Sequence, residues 1–422
     1  MHSPNRRAPV DSASNGAPER YNYFEAVPFA LAHLACFAAI FTGVHLTDLL
    51  IAAGLYAVRM FGVTAGYHRY FSHRSFKTSR IGQFLLAFLA QSSAQRGVLW
   101  WAAAHRRHHR CSDTDDDVHS PVRRGFWHAH LGWIFTDRYR DTAYADVPDL
   151  AKFPELMWLD RHPYLPAILT GAVVFACAGW SGLIVGFFWS TVALWHATFS
   201  INSLAHLVGR RRYLTGDQSR NNWWLALLTF GEGWHNNHHH YQSAACQGFR
   251  WYEVDFSYYA LKALSLSGMV WDLQRPPRSV VRSERRLRRA VLERAASELA
   301  GSFQVEQIAA DLRLLLAEKR ASLDVSIQEI REDLVHLIES YQQQFGEGAE
   351  SLRDELAQRL HTVELRCMPS LHEVRDRAVA TFVRTPSLND VAERARQILI
   401  DRLCEELLVR EAVPVRAHAP RR

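Results

Sequence analysis

Apolar residues crowd residues 24–277 and thin out beyond 278, and within the first part they come in long runs rather than alternations. A run over about 24–44 is long enough to cross a bilayer. The polar break His45-Leu46-Thr47-Asp48 turns the chain back, and a second run covers about 49–67. A third apolar stretch, 81–104, is interrupted by Gln91, Gln95 and Arg96, so it reads as buried or interfacial rather than as a clean span. Residues 110–162 are polar and acidic. Runs over about 164–179 and 183–201 follow, joined by the tight turn Gly179-Trp180-Ser181-Gly182. The pattern predicts an all-α membrane protein with four transmembrane helices in two hairpins. A helix over about 49–73 measures roughly 37 Å at 1.5 Å per residue. It outruns a hydrocarbon core of about 30 Å and carries its C-terminal end out of the membrane.

The flanks differ from this middle. Residues 1–22 are polar and rich in Pro, Asn and Ser, which predicts a disordered tail, and no apolar core with a small-residue cleavage site marks a signal peptide. From 278 to 422 the chain is rich in Arg, Glu and Leu. Leu323, Ile327, Ile330, Leu334, Leu337 and Tyr341 step by four and three, a coiled-coil spacing that Gly346 and Gly348 interrupt. Ser370-Leu-His-Glu373 and Ser387-Leu-Asn-Asp390 read as helix starts after Pro369 and Pro386. Residues 278–422 are thus expected to form a charged helical extension. Its role is self-association or partner docking, or it is a helical appendage packed on the rest.

The formal net charge is +6, from 49 Lys and Arg against 43 Asp and Glu. Within residues 1–277 the basic residues fall mostly in the N-terminal tail and in 69–162 and 205–262, while 45–48 and 178–182 contain none. Basic loops stay in the cytoplasm. This puts both termini and the loops between the hairpins on the cytoplasmic side of a multi-pass protein, a bacterial inner membrane being the expected location. The Arg excess is explained this way without a nucleic-acid partner. The six cysteines form no CxxC pair, which argues against a zinc ribbon or a disulfide framework; Cys111 and Cys246 are read as packing residues.

The candidate chemistry lies in histidines. His105-Arg-Arg-His108-His109 puts three imidazoles three and four residues apart, helical neighbours that can hold a metal. The spacing recurs at His235, His238 and His239, and a third cluster gives His68 and His73. Five residues is not an ideal helical separation, but this last pair adjoins a span end, and Asn202 and His206 adjoin another. So many imidazoles exceed the needs of one ion and fit two. A lone histidine more commonly packs or faces solvent, and His33, His45, His162, His336 and His372 are read so. His119, His128, His130, His196 and His240 are assigned supporting, substrate-side or packing roles.

In order and separation, these clusters resemble those of the integral-membrane fatty acyl desaturases, specifically the stearoyl-CoA (Δ9) type and its bacterial branch. The surrounding residues carry the resemblance: GVTAGYHRYFSHRSF at 62–76, WWAAAHRRHHRCSDTDDDVHSP at 100–121, GWIFTD at 132–137, NSLAH at 202–206 and GEGWHNNHHHY at 231–241. It covers about residues 24–277, so 23–277 is taken as the desaturase domain. The resemblance implies a cytoplasmic helical cap holding two irons. It implies metal ligation by His68, His73, His105, His108, His109, His206, His235, His238 and His239, with Asn202 acting through water. Arg106 falls where the family has a basic residue beside the second cluster, and its implied role is binding acyl-CoA phosphate. The implied reaction is O2-dependent insertion of a cis double bond into a saturated fatty acyl-CoA. Neither an HPGG haem motif nor a CxxC-rich segment occurs, so electrons come from an external reductase, ferredoxin or cytochrome b5-like donor. Other readings are a desaturase or hydroxylase of another lipid, such as a phospholipid-bound acyl chain, and a catalytically silent membrane scaffold.

Overall fold

The computed structural model describes residues 21–314, 317–318 and 369–411, with side chains as far as 403 in the last stretch. The tail up to residue 20 and the heptad-spaced stretch 323–341 lie outside the described residues. The described chain forms two compact units divided between Val281 and Arg282.

In the first unit, three helices are long and apolar enough to cross a membrane: α1 (Tyr23–Thr42), α2 (Leu46–Ser72) and a 40-residue run, Leu165–Leu204. Forty helical residues would measure roughly 60 Å, twice a hydrocarbon core of about 30 Å. The run is broken instead. Gly179 adopts φ 62° and ψ −156°, open to glycine because it lacks a Cβ. The chain folds back there, so that a Cβ on Gly171 would meet the Phe187 ring at 3.5 Å.

The remaining helices used below follow in order. They are α3 (Arg80–Gln91), α4 (Val98–Cys111), α5 (Phe126–His130), α6 (Leu165–Ser181), α7 (Ser190–Leu204), α8 (Trp223–Leu228), α9 (His235–His240) and α10 (Phe256–Leu266). The interrupted stretch 81–104 resolves into α3 and α4, separated by left-handed residues at Ala94 (φ 56°) and Arg96 (φ 69°). Asp160 receives the second and third backbone N–H groups of α4, Leu99 at 2.9 Å and Trp100 at 3.0 Å, so a carboxylate from another segment caps the helix that carries the second histidine cluster. A two-stranded antiparallel ribbon pairs Lys77 with Trp271 and Thr78 with Val270, tying the exit of α2 to the end of α10.

Helix α2 changes its winding. From Gly62 to Ser72 it is a π-helix, and the His73 N–H donates to the His68 carbonyl at 3.2 Å. In a π-helix residues five apart come into register. Arg59, buried just before this segment, donates to Thr191 Oγ1 at 2.7 Å and Ser190 Oγ at 2.5 Å, fastening α2 to the start of α7. A continuous core runs from Met60 through Tyr67 and Phe71 to Leu99, Leu156 and Leu194.

The second unit contains α11 (Arg289–Gly301), α12 (Leu371–Thr381) and α13 (Leu388–Glu411). Ser370 caps α12 through a capping box with Glu373, as the sequence pattern predicts. Small buried residues face one another here, Ala295, Ala296 and Ala300 on α11 with Ala392 and Ala395 on α13, and Arg394 pairs with Glu293 at 2.8 Å.

Candidate metal centre

Four segments bring their histidines to one place: the π-wound end of α2, helix α4, the turn after α7 and helix α9. Nine imidazoles sort into two groups whose ligand atoms lie within 4.8 Å of one another. One is His68, His73, His105, His109 and His238; the other is His108, His206, His235 and His239. The sorting cuts across the sequence clusters. His105 and His109, one turn apart, stay together while His108 joins the other group; His235 and His239 stay together while His238 crosses over. Adjacent residues on an α-helix are about 100° apart, so His108 and His109 diverge to opposite sides of their shared edge. The i, i+5 pair is explained by the π-helix, which brings the His68 and His73 rings to 4.9 Å.

In the first group the Nε2 atoms face inward. His68 lies 3.0 Å from His238, His238 2.9 Å from His109, His109 2.9 Å from His105, and His105 2.9 Å from His73. A ring N–H can point at one neighbour only, whereas a cation at the centre is approached by all five lone pairs. In the second group His206 Nε2 and His235 Nε2 are 3.1 Å apart, and the buried Nε2 atoms of His108 and His239 have no hydrogen-bond partner.

The opposite ring nitrogens are held from outside. His108 Nδ1 meets Asp117 at 2.8 Å, His206 Nδ1 meets Asp113 at 2.9 Å and His239 Nδ1 meets Asp217 at 2.7 Å. His68 Nδ1 meets Glu232, which Arg69 pins at 3.0 Å while also gripping Asp255 at 2.9 Å. A carboxylate only accepts, so each of these imidazoles carries its proton on Nδ1 and turns an Nε2 lone pair inward. Such a donor set, all imidazole with carboxylates behind it, fits metal ions of the iron, copper and zinc class.

Electrostatics agree. Burial, reinforced by the neighbouring imidazoles, holds His73, His105, His109, His235 and His238 well below the ordinary histidine range, leaving them neutral and able to ligate. Burial also lowers His206, but the charge of Asp113 outweighs it and raises this residue. Burial would raise Asp113, yet the His206 imidazole brings it down to about 2. The carboxylates Asp117, Asp217 and Glu232 are buried, Asp113 is half-buried, and none was singled out by sequence reasoning. The signal for Asp113 and Asp117 is the acidic run directly after the second cluster, and for Glu232 the Glu of GEGW directly before the third; Asp217, in YLTGDQSR, has no such signal.

The other sequence candidates fall elsewhere. His119 stacks on His108 at 4.3 Å and joins it and Asp117 in a smaller grouping. His240 stacks on Tyr213 at 4.1 Å. Asn202 is half-buried in the last turn of α7, one turn before His206. Arg106 departs from the phosphate-binding role that the resemblance implies. All five of its N–H directions are used inside the fold: two on Asp149 at 2.7 and 3.0 Å, and one each on the carbonyls of Ser72, Asp146 and Phe71. It clamps α4 to the end of α2.

An apolar cavity of about 550 Å³ adjoins the centre, with Phe29, Trp101, Phe187, Trp195 and Phe199 in its wall. Trp101 links the two, for its indole stacks on His105 at 4.9 Å and on Tyr67 at 5.3 Å. At another part of the wall, Arg96 pairs with Glu25.

The fatty acid desaturase family model matches residues 23–269, more than half of the chain. The chain belongs to the fatty acid desaturase family. Among similar desaturases, an sn-1 stearoyl-lipid 9-desaturase of Synechocystis sp. is 37% identical over 259 residues, covering 57% of this chain and 80% of that protein. An acyl-CoA 5-desaturase of Anemone leveillei is 36% identical over 248 residues, 58% and 77% of the two chains. A hex-5-enoyl-[acyl-carrier protein] acetylenase of Moorena producens is 35% identical over 259 residues, 56% and 80% of the two. This desaturase is an oxidoreductase acting on fatty acyl chains, and its histidine groups are compatible with a metal site.

Proposed function

We propose that the chain is an O2-dependent Δ9 desaturase that inserts a cis double bond into a saturated fatty acyl-CoA. The observation that carries this reading is the apolar cavity reaching Trp101, the residue stacked on His105. The ligands are the nine histidines, shared between two irons as five and four. Such irons, with O2 and electrons from an external donor, supply the oxidising power to remove two hydrogens from an unactivated carbon pair. The protein's own residues do the rest. The cavity wall binds the acyl chain and excludes water. Asp113, Asp117, Asp217 and Glu232 keep the imidazoles in the ligating tautomer. Trp101 fixes the orientation of His105 where the chain would bend past it. Arg106 holds the α4–α2 junction and is not the headgroup contact.

The break at Gly179 supports four membrane crossings in two hairpins, with the centre, a helical cap and both termini on the cytoplasmic side of a bacterial inner membrane. A second reading, in which the acyl chain is esterified to a membrane lipid, is favoured by the stearoyl-lipid relative of Synechocystis sp.. Fatty-acid profiling by gas chromatography, in a host without its own desaturase, tests the reaction: the wild type yields a Δ9 alkene and His108→Ala yields none. A hydroxy product without alkene overturns it. Supplying purified enzyme with stearoyl-CoA or with stearoyl-phospholipid vesicles separates the two substrates.

A further inference from the structure

Three histidines outside the nine form an assembly of their own. His33 on α1, His196 on α7 and His130 on α5 are joined ring to ring: His33 Nε2 lies 3.0 Å from His196 Nε2, and His196 Nδ1 lies 3.0 Å from His130 Nε2. Oxygen closes each end. His33 Nδ1 is 2.8 Å from the Phe29 carbonyl, and His130 Nδ1 is 3.0 Å from Ser203 Oγ. His33 and His196 sit inside apolar helices, where an ionisable side chain is costly and usually functional. The row lies behind the cavity wall, with the Phe29 ring 4.3 Å from His33 and the Phe199 ring 5.9 Å from His130. The other titratable groups on the same helices are Tyr23, Glu25 and Cys36 on α1 and His128 on α5, with Glu25 tied to Arg96 and Arg140.

The protons can be counted. The Phe29 carbonyl only accepts, so His33 carries a proton on Nδ1. Each ring-to-ring contact then needs one more. If Ser203 donates to His130 Nδ1, three protons satisfy the row and all three rings are neutral. If Ser203 instead donates to the Phe199 carbonyl, 3.1 Å away, His130 must donate to Ser203 and the row holds a fourth proton. Every contact is satisfied in both states, and gain or loss of one proton with a turn of one hydroxyl interconverts them. The carbonyl makes the His33 end a dead end, so the proton enters and leaves on the Ser203 side. Ser203 is fully buried and lies three residues before His206 on the same chain.

We propose that His33, His196 and His130 form a one-proton store that feeds the proton-consuming reaction at the neighbouring imidazole centre. This rests on the desaturase reading. Converting –CH2–CH2– to –CH=CH– with O2 takes two electrons from the external donor and two protons from the medium, and releases two waters. The row supplies one of those protons and is refilled from the cap side between turnovers.

The test uses the full chain with its metal, in detergent and labelled with 15N-histidine. Solid-state NMR compares the wild type with His196→Asn, which keeps hydrogen bonding but cannot hold the proton. The difference spectrum shows one imidazolium that appears as the pH is lowered, and His33→Phe loses the same signal. Turnover in His196→Asn falls at least about tenfold at unchanged KM, within the range of a lost proton-transfer group, and added imidazole restores it. Finding no imidazolium in the difference spectrum of an alkene-producing wild type overturns the store. Turnover loss without imidazole rescue overturns the delivery role. A wild type that makes no alkene overturns the desaturase reading itself, and the delivery role with it, whatever the spectrum shows.

Discussion

At the residue scale, the centre depends on carboxylates as much as on imidazoles. Asp217 holds His239 at 2.7 Å and is itself fastened by the hydroxyls of Thr215 at 2.7 Å and Ser219 at 2.5 Å. The isosteric change Asp217→Asn keeps the volume and removes the charge that fixes the tautomer. Metal affinity is expected to fall roughly 10- to 100-fold, the usual effect of losing such a partner, read by iron content after dialysis against a graded chelator. Unchanged iron loading would show that the pair is only structural. Arg106 makes the opposite prediction. Because all five donors are engaged within the fold, Arg106→Ala is expected to destabilise the protein by at least about 2 kcal/mol, as for charged hydrogen bonds, while KM for stearoyl-CoA stays unchanged. Thermal unfolding in detergent and steady-state kinetics measure the two effects. A raised KM at unchanged stability would restore the phosphate-binding role.

At the element scale, the decisive feature is the π-wound end of α2. Sequence periodicity tests for 3.6 and 2.0, so a five-residue separation looked unfavourable for His68 and His73. The wider winding makes it the natural one. Close packing holds this segment: a Cβ on Gly62 would come within 2.9 Å of the Leu89 side chain and 3.0 Å of its backbone on α3. Backbone cannot swing aside as a side-chain tip can. Gly62→Val is therefore expected to cost about 1–3 kcal/mol through overpacking and to lower alkene yield with it, read by unfolding temperature and product profile on one preparation. A normal unfolding temperature would mean that the α2–α3 contact adapts freely. The long apolar helices and the break at Gly179 were legible because apolar run length and glycine are local signals. The division of 81–104 into α3 and α4 was signalled by Gln91, Gln95 and Arg96, but Asp160, which caps α4, comes from far along the chain.

At the scale of the whole molecule, the family match ends at residue 269 and the first compact unit at Val281, so all nine imidazoles and the cavity lie within the first unit. A chain truncated after Val281 is expected to keep the alkene yield of the full-length protein within about twofold, since surface changes away from packed features are usually near neutral. Gas chromatography of expressing cells measures the yield, and size-exclusion chromatography of the purified proteins measures oligomeric size. A collapse of activity with folding intact would assign the second unit a part in donor docking or self-association.

The sequence by itself determined the donor chemistry, the apolar runs that carry it and the family, because histidine spacing, run length and flanking motifs are local properties. Only the tertiary structure decided which imidazoles share a group, which carboxylates stand behind them and what Arg106 holds. Those follow from angles between adjacent residues on a helix and from contacts between residues that lie anywhere from 9 to 170 positions apart, and neither is written in the order of residues along the chain.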